Sequence, residues 1–277
     1  METVKITASE VNALRKQTGA GMMDCKKALV EANGDAQKAV EILRKQGQKV
    51  AAKRSDREAS EGMALATVAP DGKRAVVIAL NCETDFVAKN DDFTKTTNDI
   101  LNLAVEKNPA SLQELLALEL NGMTISELVT ETTGKTGEKV ELSAYNVVNG
   151  DTVVAYNHPG NMIASVVALN KSGHEDVAKD VAMQVAAMAP IALNRDGVDQ
   201  ATIDKEIEIG KEQAIKEGKP EEMAEKIAIG RLNKFYKENT LLEQAFVKDN
   251  KTTIEKYLKT QDPDLTVAGY SRVSLAN

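Results

Sequence analysis

GMALATVAPDGKRAVVIALN, residues 62–81, is the stretch whose reading decides the fold. Residues 62–68 read as a strand, Pro70-Asp71-Gly72 as a turn, and residues 75–81 as a second, almost wholly apolar strand. Asp92-Phe93 then begins a helix that sets Ile100, Leu101, Ala104 and Val105 on one side, and Asn108-Pro109 stops it. The order returns downstream. Residues 153–156 read as a strand, Asn157-His158-Pro159-Gly160 as a turn, residues 163–169 as an apolar strand, and residues 175–189 as a helix ended by Pro190. Two copies of a strand-turn-strand-helix unit predict an α+β core of two related subdomains, each an antiparallel sheet with helices on one face. Between the copies lie a helical stretch at 112–118, a second from Ser126, and a loose Thr/Gly/Lys segment.

Toward the N-terminus the sequence changes character. Thr7-Ala8-Ser9-Glu10 matches a capping box, followed by Val11 and Leu14 on one face, and Thr18-Gly19-Ala20-Gly21 breaks the helix. A second helix sets Met22, Cys25, Ala28, Leu29 and Ala32 on a stripe at helical spacing. Asn33-Gly34 ends it, Asp35 caps a third helix with Ala39, Ile42 and Leu43 inward, and Gly47 closes that one. About 45 residues is a small core, so this bundle is expected to be marginal alone and to exist for binding. Toward the C-terminus, Ile203, Ile207, Ala214 and Ile215 mark one amphipathic helix, and Met223, Ile227, Leu232 and Phe235 a second. Gly218-Lys219-Pro220 between them predicts an antiparallel hairpin. Residues 267–273 are a last strand candidate.

Composition narrows the function. The 277 residues suggest about two domains. No apolar run reaches the ~20 residues of a membrane span, and METVKITASEV has neither the basic nor the apolar region of a secretory leader. Two cysteines, Cys25 and Cys82, build no disulfide scaffold, so a reducing, cytoplasmic location is expected. With His158 and His174 they are spaced too widely for a zinc finger. The net charge of -7 hides an asymmetry: residues 1–57 carry twelve Lys/Arg against seven Asp/Glu, a net of +5, which leaves -12 for the rest. Lys45, Lys49, Lys53, Arg54 and Arg57 form a charged linker.

Catalytic patterns are sparse. Gly134-Lys135-Thr136 imitates the end of a phosphate-binding loop, but the required earlier glycine is Val129 and no strand feeds it. Cys82 and His158 form no nucleophile-base pair in sequence, and Asp91-Asp92 suits a helix N-terminus better than a calcium loop. The odd segment is residues 84–91, where Phe86 stands between charges directly after a buried strand. Phe86 reads either as a core residue between sheet and helix or as an exposed apolar wedge beside Asp85, suited to entering another protein's site.

LRKQTGAGMMDCKKAL (residues 14–29) and NCETDFVAKND (residues 81–91) resemble the two signatures of the bacterial elongation factor Ts family, guanine-nucleotide exchange factors of elongation factor Tu. GKPEEMAEKIAIGRLNKF (residues 218–235) extends the resemblance, which spans nearly the whole chain. It implies a ubiquitin-associated-like (UBA-like) three-helix module with a basic linker at 1–55 that docks on elongation factor Tu. It further implies a core N-subdomain at 56–140, a C-subdomain at 141–198 and 230–277, and an inserted helical hairpin of the coiled-coil type at 199–229. The hairpin's role in pairing varies among members, which leaves a homodimer or a two-plus-two complex open. Carried over by position, Thr84, Asp85, Phe86 and Val87 would displace magnesium from the partner, and Arg15, Met22, Met23 and His158 would contact it. No cofactor, covalent chemistry, membrane or direct nucleic-acid contact is implied. The chain departs from the pattern at Ala79, where the family usually has Glu, and at its end, where many members continue with an acidic, Gly-rich tail. An RNA-binding translation accessory using the basic module is the rival reading; few aromatics for base stacking and the negative net charge count against it.

Overall fold

The structure is a computed structural model and describes residues 5–275. The first four residues of the stretch read as lacking a leader, and the last two of the C-terminal segment, lie outside the described residues. Three helices come first: α1 (Ala8–Thr18), α2 (Met22–Glu31) and α3 (Ala36–Arg54). Then follow β1 (Glu61–Val68), β2 (Arg74–Cys82), α4 (Asp85–Ala88), α5 (Asp91–Lys107), α6 (Leu112–Ala117), β3 (Glu119–Leu120), β4 (Met123–Thr124), α7 (Ile125–Thr136) and β5 (Glu141–Asn149). The second half contains β6 (Thr152–Asn157), β7 (Ile163–Leu169), α8 (Glu175–Met188), α9 (Gln200–Lys216), α10 (Glu221–Asn239), β8 (Ala245–Phe246), β9 (Asp249–Thr253), α11 (Ile254–Gln261) and β10 (Val267–Ser274).

The class is mixed α and β with small antiparallel sheets. One sheet has the order β1-β2-β5 and the other β10-β7-β6, so β2 and β7 are the central strands and the second sheet repeats the first. Alternation along the strands sorts side chains by size. Val76, Ile78 and Leu80 of β2 face Phe93, Ile100, Leu115 and Ile125 of the adjoining helices. Ala75, Val77 and Ala79 face the other way, onto Ala164, Val166 and Ala168 of β7. Val167 and Leu169 of β7 face Val181, Val185, Ile254 and Leu258. The layers therefore run helices, sheet, sheet, helices. Central strands buried on both faces account for the unbroken apolar runs in the sequence. Ala79 lies fully buried in the layer of small residues between the sheets.

The N-terminal helices form where the caps predict. Thr7 and Glu10 close a capping box, Gly19 ends α1 in the left-handed conformation, and Asp35 caps α3. Val11, Leu14, Cys25, Ala28, Leu29, Ala32 and Ala39 make their core. Two expectations need correction. Met22 starts α2 and is 52% exposed, outside the apolar stripe. Gly47 does not end α3, which runs on to Arg54 and takes up most of the expected linker. The reason is tertiary: Gly47 is buried where α3 crosses α7, against Gly134, so neither side of the crossing carries a side chain. The segment read as loose is the end of α7, and β5, α11 and the β8–β9 pair had no counterpart in the sequence reading.

α9 and α10 form the expected antiparallel pair, turning at Gly218 with φ 77°. They pack chiefly on each other through Gly210, Ala214, Ala224 and Ala228. Ile215 and Met223, two of the residues that mark the amphipathic pattern, are exposed, as are Ile209 and Ile229. Small residues bring the two backbones close and leave the larger side chains outside. No helix among the described residues is long and apolar enough to cross a membrane.

Candidate functional site

β2 ends at Cys82, whose buried thiol donates to the Thr84 carbonyl at 3.2 Å. Burial pushes that thiol up to about 12, with Glu138 adding to it, which leaves it protonated and unreactive as a nucleophile at neutral pH. The chain then turns sharply into α4. Thr84 is the N-cap, its hydroxyl accepting from the Val87 amide at 3.4 Å, and Asp85 occupies the first turn, where a carboxylate suits the helix dipole. Val87 and Ala88 pack onto the core below the first sheet. Asn90 caps α5 immediately afterwards, so α4 is a single turn wedged between a strand and a long helix.

Phe86 points the other way and is 83% exposed. Burying a phenylalanine is worth roughly 1.5–3 kcal/mol, so the fold forgoes that gain here. The core reading of Phe86 is thereby excluded. Asp85 beside it pairs with Lys89 at 2.6 Å. That hydrogen bond holds the Asp85 carboxyl below the usual carboxylate range. An apolar ring next to an anionic carboxylate on a tight turn can insert into a cleft and present an acceptor there.

The turn is fastened from behind. Thr84 donates through its amide to Glu138 Oε2 at 3.0 Å and through its hydroxyl to Glu138 Oε1 at 2.7 Å. Glu83 accepts from the Lys139 amide at 2.6 Å and from Arg54 Nη1 at 2.8 and 2.9 Å. Sequence reasoning missed Glu138 and the Arg54–Glu83 pair, because the contacts join residues 54 and 29 positions apart and no local pattern announces them.

His158 is exposed in the β6–β7 turn, with Nδ1 3.0 Å from the Tyr156 hydroxyl. The turn is tied to β1: the Asn157 side chain accepts from the Ala66 amide at 2.7 Å and donates to its carbonyl at 2.9 Å. The Ala64 amide donates to the Asn161 carbonyl at 2.7 Å. α4 also packs on β1, so the Thr84–Val87 turn and the His158 turn are mounted on a common strand. Arg15, Met22 and Met23 are exposed on α1 and α2, apart from that strand; Met23 is 62% exposed. Lys45, Lys49, Lys53 and Arg57 are exposed, while Arg54 is turned inward to Glu83.

Among the described residues no group of three or more His, Cys, Asp or Glu could hold a metal ion. Gly134-Lys135-Thr136 belongs to the last turns of α7, with Lys135 paired to Glu131. A cavity of about 260 Å³ lies between the first three helices and α7, lined by Thr18, Val40, Leu43, Gly47 and Lys135 among others, and it does not reach the 84–87 turn.

Residues 83–277 match the family model described as "Elongation factor TS". The curated "Elongation factor Ts" of Christiangramia forsetii is 55% identical over 273 residues, which is 98% of this chain and 99% of that protein. The one from Amoebophilus asiaticus is 53% identical over 97% of this chain and 98% of its own length. The one from Porphyromonas gingivalis is 53% identical over 98% of both.

Proposed function

This chain belongs to the elongation factor Ts family of translation elongation factors, and from that premise we propose that it is a guanine-nucleotide exchange factor for elongation factor Tu. It binds the GDP form of its partner, disturbs the magnesium and phosphate site, and promotes GDP release so that GTP can enter. The observation that carries this reading is Phe86, a large apolar side chain held in water on a fastened turn beside Asp85.

The thermodynamics are strict. A factor that bound nucleotide-free and nucleotide-loaded partner equally would shift nothing. By linkage, GDP weakens the factor's grip by the same ratio that the factor weakens GDP's. The partner of an exchange factor holds its nucleotide through phosphate-loop amides and a bridging magnesium ion, so losing the ion leaves phosphate charge poorly neutralised. Phe86 acts as the wedge that moves the elements around the ion, Asp85 supplies an acceptor there, and Thr84 and Val87 hold the turn. Nothing in this scheme breaks a covalent bond, so the protein is not an enzyme in the covalent sense and needs no cofactor.

The division of labour we propose follows the sequence. Residues 1–55 form a UBA-like module that docks through Arg15, Met22 and Met23; exposed methionines adapt well to a partner's surface. His158 gives a second contact from the other subdomain. The hairpin, with Ile209, Ile215, Met223 and Ile229 outward, is suited to pairing chains or to packing on the partner. Release of a fluorescent GDP from elongation factor Tu tests the core of the reading. Phe86→Ala should slow release by about tenfold or more, the scale of an interface hot spot, while binding persists. Unchanged release would overturn the wedge.

A further inference from the structure

Glu83 and Glu138 form a reciprocal clasp. The side chain of Glu83 accepts from the backbone of Lys139, and the side chain of Glu138 accepts from the backbone of Thr84. The link between β2 and α4 is therefore laced to the link between α7 and β5 by consecutive residues on each side. Arg54, on the last turn of α3, adds a third point by bridging both oxygens of Glu83. All of these groups are half-buried, whereas Phe86 is 83% exposed.

α4 is four residues long, far below the length at which a helix holds itself. Its direction must come from its attachments. Val87 and Ala88 give it apolar contact with the core, but Phe86 in water contributes nothing to holding it. What fixes the rotation of the turn is the capping residue, and Thr84 is fixed by Glu138 through both its amide and its hydroxyl.

We infer that Glu138 and the Arg54–Glu83 pair are positioning residues for nucleotide exchange, aiming Phe86 without touching the partner. Because Arg54 is carried by α3, the first helical module and the wedge share one frame. The inference rests on the exchange reading above.

The test uses the full chain and separates the maximal rate of fluorescent-GDP release at saturating factor from the half-saturating concentration. Glu138→Ala should lower the maximal rate about five- to tenfold and move half-saturation by less than about twofold, the pattern of lost orientation rather than lost binding. Glu138→Gln keeps an oxygen for the Thr84 amide and should restore most of the rate. Arg54→Ala, at a side chain 35% exposed, should lose about threefold in the same parameter. Amide exchange at Thr84 and Val87 should quicken in Glu138→Ala. Adding Glu138→Ala to Phe86→Ala should change the rate by less than about twofold, since the clasp acts only through Phe86. If Phe86→Ala slows release but neither Glu138→Ala nor Arg54→Ala does, the positioning role falls and the exchange reading stands. A multiplicative loss in the double variant also overturns the positioning role. If Phe86→Ala leaves release unchanged, both fall.

Discussion

Glu83 shows how much one carboxylate can hold. The Lys139 amide, with Arg54 adding to it, keeps its carboxyl below the usual carboxylate range. A folded-state value below the unfolded one means that the ionised form is favoured by folding. Its stabilisation is complete above the unfolded value of about 4.3 and disappears as pH falls through the lowered folded value. Glu83→Gln should therefore lower the urea midpoint at pH 7 and match the wild type once the solution is more acid than the native carboxyl. Midpoints measured in steps from pH 7 to pH 3 check this, and parallel curves over the whole range would contradict it. Phe86 illustrates what a sequence can and cannot tell at this scale. A ring between charges after a buried strand is visible as an anomaly, yet its exposure depends on a turn clamped by Glu138 and Arg54, from distant parts of the chain. Cys82 was legible, since a small residue closing an apolar strand is most often buried and inert.

At the scale of elements, the crossing of α3 over α7 is decided by two glycines with unequal room. A methyl group built on Gly134 would come within 2.7 Å of the Gly47 backbone, whereas one on Gly47 meets the Gly134 backbone at an ordinary 3.5 Å. Gly134→Ala must push the helices apart, and overpacking of that kind is worth about 1–3 kcal/mol of destabilisation. Gly47→Ala removes a helix-interior glycine at tolerable distance and should be neutral or stabilising by up to about 1 kcal/mol. Thermal midpoints of the two variants should move in opposite directions or, at the least, only the first should fall; equal losses would mean that the contact does not set the crossing. This contact also explains a misreading. A glycine after a run of helical residues is the ordinary signal of a helix end, and only the facing Gly134 reveals that α3 continues. β5 escaped for a different reason. Its pairing with β2 slips by one residue between Ala79–Ala144 and Leu80–Leu142, leaving Ser143 as a bulge. Its buried positions, Leu142, Tyr145 and Val148, then fall three apart and mimic neither a clean strand nor a helix. The repeated strand-turn-strand-helix unit was legible because β2 and β7, covered on both faces, keep unbroken apolar runs.

The whole molecule is joined by its smallest side chains. Ala64, Ala66, Ala75 and Ala79 from one sheet meet Ala164, Val166 and Ala168 from the other, so the sheets approach closely and share a single buried apolar layer. Each sheet also depends on its own helices, and neither has a second face to spare for solvent. The two sheets should therefore open together, although the sequence presents them as separate copies. The hairpin differs: its helices meet through a narrow seam of glycine and alanine, and much of its larger apolar surface is already in water. Native-state hydrogen exchange in increasing urea should give Val77 of β2 and Val166 of β7 the same opening free energy, while amides near Gly218 open locally at far lower cost. Ala168→Leu provides the sharper test. Ala168 lies against Gly150 in the crowded layer, and a larger side chain there should cost about 1–3 kcal/mol. If the layer makes one cooperative unit, Val77 and Val166 lose protection equally and the hairpin amides do not change. Loss confined to β7, with β2 as protected as before, would show two units that fold separately. The clasp at Glu138 and Arg54 would then tie the first helices to the β1-β2-β5 sheet alone, and His158 would report on the other sheet. Equal loss would mean that both proposed contact points ride on one rigid body, which is what delivering a wedge into a partner requires.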